Sequence, residues 1–204
     1  MPHEETSRRV LAVFDFDGTL THRHTFWRYI RFIHGSAAFW GGMALMLPRI
    51  VAVLLKITPL MQARRAFIHH FFAGLSVPRE SALARRYVHE KLPGYLRPQA
   101  LRRLRWHQQQ GHVTALVSNS PENYLLQWGR SLNIDIICGT RLGSDGQTLS
   151  GEVDGEDCVG SEKVRRLREK MTDLDNYQIY AYGDSSGDAE LLAIADAPFY
   201  RNWY

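Results

Sequence analysis

Residues 10–20 read Val-Leu-Ala-Val-Phe-Asp-Phe-Asp-Gly-Thr-Leu, and the fold turns on how they are read. Val10 to Phe14 is a short apolar run with branched residues, as in a strand with sheet neighbours on both sides. It ends on carboxylates. Asp15 and Asp17 stand two apart, so an extended backbone points both side chains the same way, and Gly18 lets the chain turn off sharply. Two acids at the end of a buried strand are costly unless something positive meets them; a strand-end turn with solvated aspartates is the alternative. An EF-hand loop is excluded, because it needs Gly at the sixth position and Glu at the twelfth from Asp15, where Leu20 and Phe26 stand.

The chain has 204 residues, enough to bury a full core, and suits one α/β domain with a large insertion. Its 45% hydrophobic and 23% charged residues place it among soluble globular proteins. A net charge of +4 over the whole chain is far short of the basic face of a nucleic-acid binder, and leaves anionic small molecules or a membrane surface open. Cys138 and Cys158 are too few for a disulfide framework or a zinc site. Glu4, Glu5, Arg8 and Arg9 precede Asp15 with no signal-peptide hydrophobic region, so the expectation is a cytoplasmic protein.

From Thr25 to about Leu92 the pattern is helical, with Phe26, Tyr29, Ile30 and Ile33 at spacings of three and four. Breaks at Gly35, Gly41 and Gly42, Pro48, Pro59, Gly74 and Pro78 divide it into about four helices. Ala37 to Leu55 is its most apolar part. Pro48 and Arg49 in the middle argue against a membrane span, which leaves two readings: the insert's own core, or a surface for a lipid-like substrate or a membrane. Arg64 and Arg65 follow, either meeting an anionic group or facing water. His69 and His70 have no spacing that compels a metal.

Pro93-Gly94 marks a return to the core. Pro98 to Gln110 reads as a helix stopped by Gly111, with Arg102, Arg103 and Arg105 on its solvated face. A second buried strand runs from His112 into Ser118-Asn119-Ser120-Pro121, with Ser120 expected to cap the next helix and Pro121 to open it, leaving free N–H groups for an anion. Ile134 to Cys138 is a third strand, and Gly139 to Val153 a hairpin without evident chemistry. Gly160-Ser161-Glu162-Lys163 opens another helix, with Ser161 as cap and Lys163 in a first turn whose dipole disfavours a cation. Such a breach of a local rule invites a functional explanation. Arg165, Arg166 and Arg168 read as solvated. The last strand, Gln178 to Tyr182, runs into Gly183-Asp184-Ser185-Ser186-Gly187-Asp188, where Ser185 and Asp188 form a possible capping box and Asp184 stays unexplained.

Asp-Phe-Asp-Gly-Thr-Leu after an apolar strand, Ser118 at the second strand end, Lys163 at a helix start and Gly-Asp with a second Asp at 184 and 188 resemble, in order, the four motifs of the haloacid dehalogenase (HAD) superfamily of phosphatases. The resemblance implies an α/β fold: a Rossmann-like core with a mostly parallel sheet, residues 1–21 and 95–204, and a helical cap inserted after the first strand, residues 22–94. It makes Asp15 the nucleophile, Asp17 the acid and base, Ser118 the holder of a phosphate oxygen, and Lys163 the cation that offsets their charge. Asn119, His24, Arg64 and Arg65 are assigned to substrate binding. Magnesium is the implied cofactor, held by Asp15, Asp184 and the backbone carbonyl of Asp17, with Asp188 in support. Many relatives carry Asn where this chain has Gly187.

The implied reaction is magnesium-dependent hydrolysis of a small phosphorylated substrate through an aspartyl phosphate. P-type ATPases of the superfamily have Thr at the place of Asp17 and dehalogenases lack that Asp, so both are disfavoured. The helical cap and motif spelling are similar to subfamily IB, which includes phosphoserine phosphatases and bacterial phosphatidylglycerophosphatase. Phosphoserine phosphatases pair the substrate ammonium with a carboxylate nine residues after the nucleophile, where this chain has His24. A lipid phosphate, a phosphotransferase reaction and a non-catalytic binding module stay open as alternatives.

Overall fold

The computed structural model describes residues 8–203, so the acidic start of the chain, read above for the absence of a leader, lies outside the described residues. Strands β1 (Arg9–Phe14), β2 (Val113–Pro121), β3 (Ile136–Thr140), β6 (Tyr177–Gly183) and β7 (Ala197–Tyr200) form one sheet in the order β3-β2-β1-β6-β7, every pair parallel. Alternation in β1 sends Ala12 and Phe14 to one face and Leu11 and Val13 to the other, each into its own apolar cluster, as a central strand covered on both sides requires. The third strand starts two residues later than the apolar run suggested.

Between β1 and β2 lie α1 (Thr25–Leu45), α2 (Leu47–Leu54), α3 (Leu60–Phe72) and α4 (Val77–Glu90). Gly35 breaks α1 with φ 79°, as expected. Gly41 and Gly42 do not break it; a side chain at Gly42 would lie 2.4 Å from Phe71 Cζ, so this glycine permits close helix packing, and the chain bends at Met46 instead. Phe26, Tyr29, Ile30, Phe67, Phe72 and Tyr87 of these helices share one cluster with Ala12 and Phe14 of the sheet. The insert is therefore packed into the sheet's own core. Ser76 caps α4, accepting from Arg79 N at 3.3 Å.

After α5 (Pro98–Gln109), β2 leads into α6 (Glu122–Ser131) and β3, and then into a hairpin of β4 (Leu142–Ser144) and β5 (Leu149–Val153). The hairpin takes no part in the sheet. It bonds to the insert through Gly74 N to Leu149 O at 2.8 Å and Leu149 N to Leu75 O at 2.9 Å. The chain closes with α7 (Ser161–Lys170), β6, α8 (Ala189–Ala193) and β7.

Several local expectations are corrected here. Pro121 is the last residue of β2 and the cap of α6, while Ser120 is drawn away to another partner described below. Gly160, at φ 60°, precedes α7 in the place expected of Ser161. Arg103 is not simply solvated, since its Nε donates to the Tyr182 hydroxyl at 2.7 Å. Arg166 is 2% exposed, donating to Glu162, to the Gly139 carbonyl at 2.8 Å and to the Glu156 carbonyl at 2.6 Å. A guanidinium has five donors, and backbone carbonyls left unpaired at the end of β3 and in the loop after the hairpin absorb them.

Candidate active site

The three central strands deliver their acids and hydroxyls to one end of the sheet, where open α/β sheets build their sites. Asp15 follows β1, Ser118 lies near the end of β2, and Asp184 follows β6. Gly18 makes this convergence possible: it stands at φ 90°, and a Cβ there would lie 2.2 Å from Asp184 Oδ2. No other residue fits.

Lys163, in the first turn of α7, is buried and donates to Asp15 Oδ1 at 2.6 Å and to Asp188 Oδ1 at 2.5 Å. Those two charge-assisted bonds outweigh the few tenths of a kcal/mol that the helix dipole withholds from a cation there. A lysine reaching solvent is thus excluded. Burial alone would lower the Lys163 pKa, but the two carboxylates hold it above its ordinary value. Asp15 is pushed up to about 7, chiefly by burial, with Lys163 pulling the other way and Asp188 adding to the rise.

Asp188 does two jobs. Its Oδ2 accepts from Ser185 N at 3.0 Å and Ser185 Oγ at 2.8 Å, the expected capping box, while Oδ1 takes Lys163. These bonds keep its pKa below the usual carboxylate range despite burial. Asp184 is pushed upward by burial and by Asp188. Donor oxygens of Asp15, Asp184 and Asp188 all lie within 4.8 Å of one another, an all-oxygen set fit for a hard divalent cation. Asp188 has its oxygens occupied, so Asp15 and Asp184 are the two with capacity to spare.

The Asp17 carboxylate lies outside that group. Its Oδ1 accepts from Thr25 N and Thr25 Oγ1, both at 2.7 Å, and its Oδ2 from Ser120 Oγ at 2.5 Å. As a metal ligand Asp17 is therefore restricted to its backbone carbonyl; its side chain is aimed by the first turn of α1 and the end of β2. Tyr124 completes the arrangement by donating to Ser120 Oγ at 2.6 Å. Ser120, Thr25 and Tyr124 were not legible beforehand, since nothing in their spacing ties them to residue 17.

Asp15, Asp17, Ser118 and Lys163 open on one cavity of about 420 Å³, lined also by His24, Asn119 and Arg64. Ser118 Oγ accepts from Ser120 N at 3.3 Å, which leaves its own proton for a ligand. Asn119 is partly spent, its Oδ1 accepting from Thr140 Oγ1 at 3.0 Å. Arg64 pairs with buried Asp157 and donates to the Asn119 carbonyl at 2.6 Å. Arg65 does not line this cavity; it reaches Asp157 at 3.2 Å and Glu156 at 2.5 Å. Both arginines are thus paired with acids of the chain itself, Arg65 from a half-exposed position and Arg64 at the wall of the cavity. Together they tie α3 to the loop after the hairpin. A second tie runs from α4, where buried Glu80 accepts from Tyr29 and from Asn123 Nδ2 at 2.8 Å. Gly187 also lines the cavity, and a Cβ there would press on Val159 Cγ2 at 2.9 Å, so Asn at that place would displace Val159.

The sequence profile of the family described as haloacid dehalogenase-like hydrolase matches residues 12–193. The chain is a HAD-like hydrolase. Protein CicA of Caulobacter vibrioides is 36% identical over 194 residues, covering 94% of this chain and 86% of CicA. Among solved structures, a Bordetella pertussis Tohama I protein described as of unknown function superposes with TM-score 0.77 at 21% identity, covering 92% of this chain and 87% of that one. A phospho-aspartyl intermediate analogue of phosphoserine phosphatase superposes with TM-score 0.62 at 20% identity, covering 93% and 84%. These likenesses establish the HAD fold. In this HAD-like hydrolase the matched span contains Asp15, Asp17, Ser118, Lys163, Asp184 and Asp188.

Proposed function

We propose that this hydrolase is a magnesium-dependent phosphomonoesterase that works through an aspartyl phosphate on Asp15. The observation that carries the reading is the buried Lys163 ammonium between Asp15 and Asp188, beside a cavity that Ser118 and Asp17 also face. A carboxylate nucleophile approaching a phosphate needs positive charge already in place. Lys163 supplies part of it, and Mg²⁺ held by Asp15 and Asp184, with the Asp17 carbonyl, would supply the rest by neutralising charge on both partners.

Asp15 attacks phosphorus, the ester P–O bond breaks, and Asp17 gives its proton to the departing alcohol. Asp17 then takes a proton from the water that attacks the phosphoryl group, which releases inorganic phosphate and restores Asp15. Thr25 and Ser120 hold the Asp17 carboxylate in place for both transfers. Ser118 donates to a phosphoryl oxygen. The four-helix insert acts as the cap, and Arg64 on Asp157 keeps it against the core.

Solved neighbours include phosphoserine phosphatases, yet among the described residues Asp15 and Asp17 are the only carboxylates lining this cavity, and both have other tasks. A substrate ammonium would go unpaired beside His24, so the substrate is another small phosphomonoester. A lipid phosphate is the second reading, favoured by the apolar wall of Phe26, Trp27, Leu60, Met61 and Phe67. The test is phosphate release from a panel of phosphomonoesters with and without magnesium, with Asp15→Asn as control. Release that needs the metal and vanishes in Asp15→Asn, with an unchanged circular dichroism spectrum, is expected. Turnover by that variant would remove Asp15 from the reaction, and phosphate passed to an added alcohol would make the enzyme a phosphotransferase.

A further inference from the structure

Among the described residues, six of the eleven exposed large hydrophobics lie between the start of α2 and the first residue of α3. Leu47 is 55% exposed, Leu54 75%, Leu55 64% and Ile57 72%, and no residue of α2 is buried. Leu47, Val51 and Leu54 recur at the spacing of one helix face, and that face points outward. Trp40 on α1 adds a 59% exposed ring. Ile50 on the inner side of α2 packs against the common core. Scattered exposed leucines need no explanation, but an apolar helix face together with the loop that follows it does.

Charge says what covers it. Residues 18–79 contain no Asp or Glu and eight Lys or Arg. Arg64 and Arg65 are paired with Asp157 and Glu156, but Arg49 and Lys56, which border the exposed leucines, are exposed and make no ion pair among the described residues. An apolar face bordered along the chain by the cations Arg49 and Lys56 matches a bilayer with anionic headgroups, where leucines enter the acyl boundary and cations stay at the phosphates. A second copy of this chain would bring like charge against like charge.

No single helix among the described residues is long and apolar enough to cross a membrane; α1 and α2 pass only as a pair bent by 56°, and the first half of α1 is buried in the core. The exposed run continues through Leu60, 68% exposed, and Leu60 with Trp27 lines the cavity that holds Asp15. We infer that α2 and residues 55–60 form an interfacial docking surface for anionic lipid bilayers, which sets the mouth of the active-site cavity against the headgroups. The consequence for substrate, a phosphomonoester presented at a lipid surface, rests on the phosphatase reading; the docking itself does not.

Flotation of the purified full chain with vesicles tests it. Binding is expected to vesicles of phosphatidylcholine mixed with phosphatidylglycerol, weaker binding to phosphatidylcholine alone, and a blue shift of Trp fluorescence that is lost in Trp40→Phe. Leu54→Ser with Ile57→Ser should lower partition at least tenfold, since each buried leucine-sized side chain is worth about that much or more. Arg49→Gln with Lys56→Gln, which removes no apolar contact, should cost about fivefold per charge on the anionic vesicles and nothing on the neutral ones. All four residues lie outside the catalytic cluster, so hydrolysis of a soluble ester should be unchanged. Absence of the chain from the floated fraction, equal binding by the serine variant, or a dimer in sedimentation equilibrium that the serine variant abolishes would each overturn the proposal. Hydrolysis of the soluble ester without vesicle binding would remove the docking surface and leave the phosphatase standing, and binding without hydrolysis would do the reverse.

Discussion

Arg64→Ala should detach the insert from the core more than any surface substitution. Arg64 leaves 11% of its side chain exposed and Asp157 4%, so their ion pair is buried, and the same guanidinium bonds the Asn119 carbonyl and stacks over Phe26 at 5.0 Å. Breaking one side of a buried pair costs roughly 3–5 kcal/mol, because the partner is left charged in low dielectric. Arg65 still reaches Asp157 at 3.2 Å, but from a 40% exposed position, so it offsets only part of that loss. The bond to Asn119 adds back about 1 kcal/mol, for a total of about 3–4 kcal/mol. In a chain of 204 residues this corresponds to a fall in Tm of about 10 °C. The assay is urea unfolding of the wild type, Arg64→Ala, Asp157→Asn and the double variant. Removing both charges abolishes the uncompensated one, so the double variant should be more stable than the sum of single losses by about 1–3 kcal/mol. Additivity within about 0.5 kcal/mol, or a single loss below about 1 kcal/mol, would refute the buried clasp.

Gly18→Ala places a methyl group 2.2 Å from Asp184 Oδ2 at a φ that disfavours any side chain. Calorimetric titration should show Mg²⁺ binding weakened by about tenfold or more, and unchanged affinity would separate Asp184 from the metal. His107 is buried between Tyr182, which it meets at 2.9 Å, and His112 at 2.8 Å, with Arg103 nearby. Burial first, then the Arg103 and His112 charges, lowers its pKa to about 3. The unfolded chain therefore binds a proton near pH 6.5 that the folded chain refuses, so stability falls as pH drops below about 6.5 and goes on falling towards pH 3. From pH 7.5 to pH 5 this contributes a loss of about 1–2 kcal/mol, which denaturant titrations should show reduced in His107→Gln; an equal slope in both proteins would place the pH dependence elsewhere.

The parts of the site legible in the sequence were those tied to strand ends. Asp15, Ser118 and Asp184 each follow an apolar run, and a parallel sheet must bring such ends together. Lys163 was legible for a different reason: a cation in a first helical turn needs a compensating partner, and here it has two. The residues that hold Asp17 were not. Thr25 and Tyr124 lie 8 and 107 positions after it on two different helices, and their hydroxyls have no period or spacing that marks them. Arg64 and Arg65 show the opposite failure. Adjacent arginines on a helix read as meeting an anionic group or facing water, but Asp157, 93 residues after Arg64, is the acid that meets them.

By itself the sequence determined the parallel α/β core, the place of the helical insert, and the order of the four acid, hydroxyl and lysine fragments. Strand burial and chain reversal are local properties, encoded within about ten residues. Only tertiary structure decided which way each charge is spent: Asp17 aimed by α1 and β2 rather than by a metal, Asp188 shared between a cap and Lys163, Arg64 closing the insert onto the core, and α2 turned outward. Each of these depends on which distant groups compete for the same donor or the same apolar contact. That competition is settled by packing in three dimensions and leaves no mark on spacing along the chain.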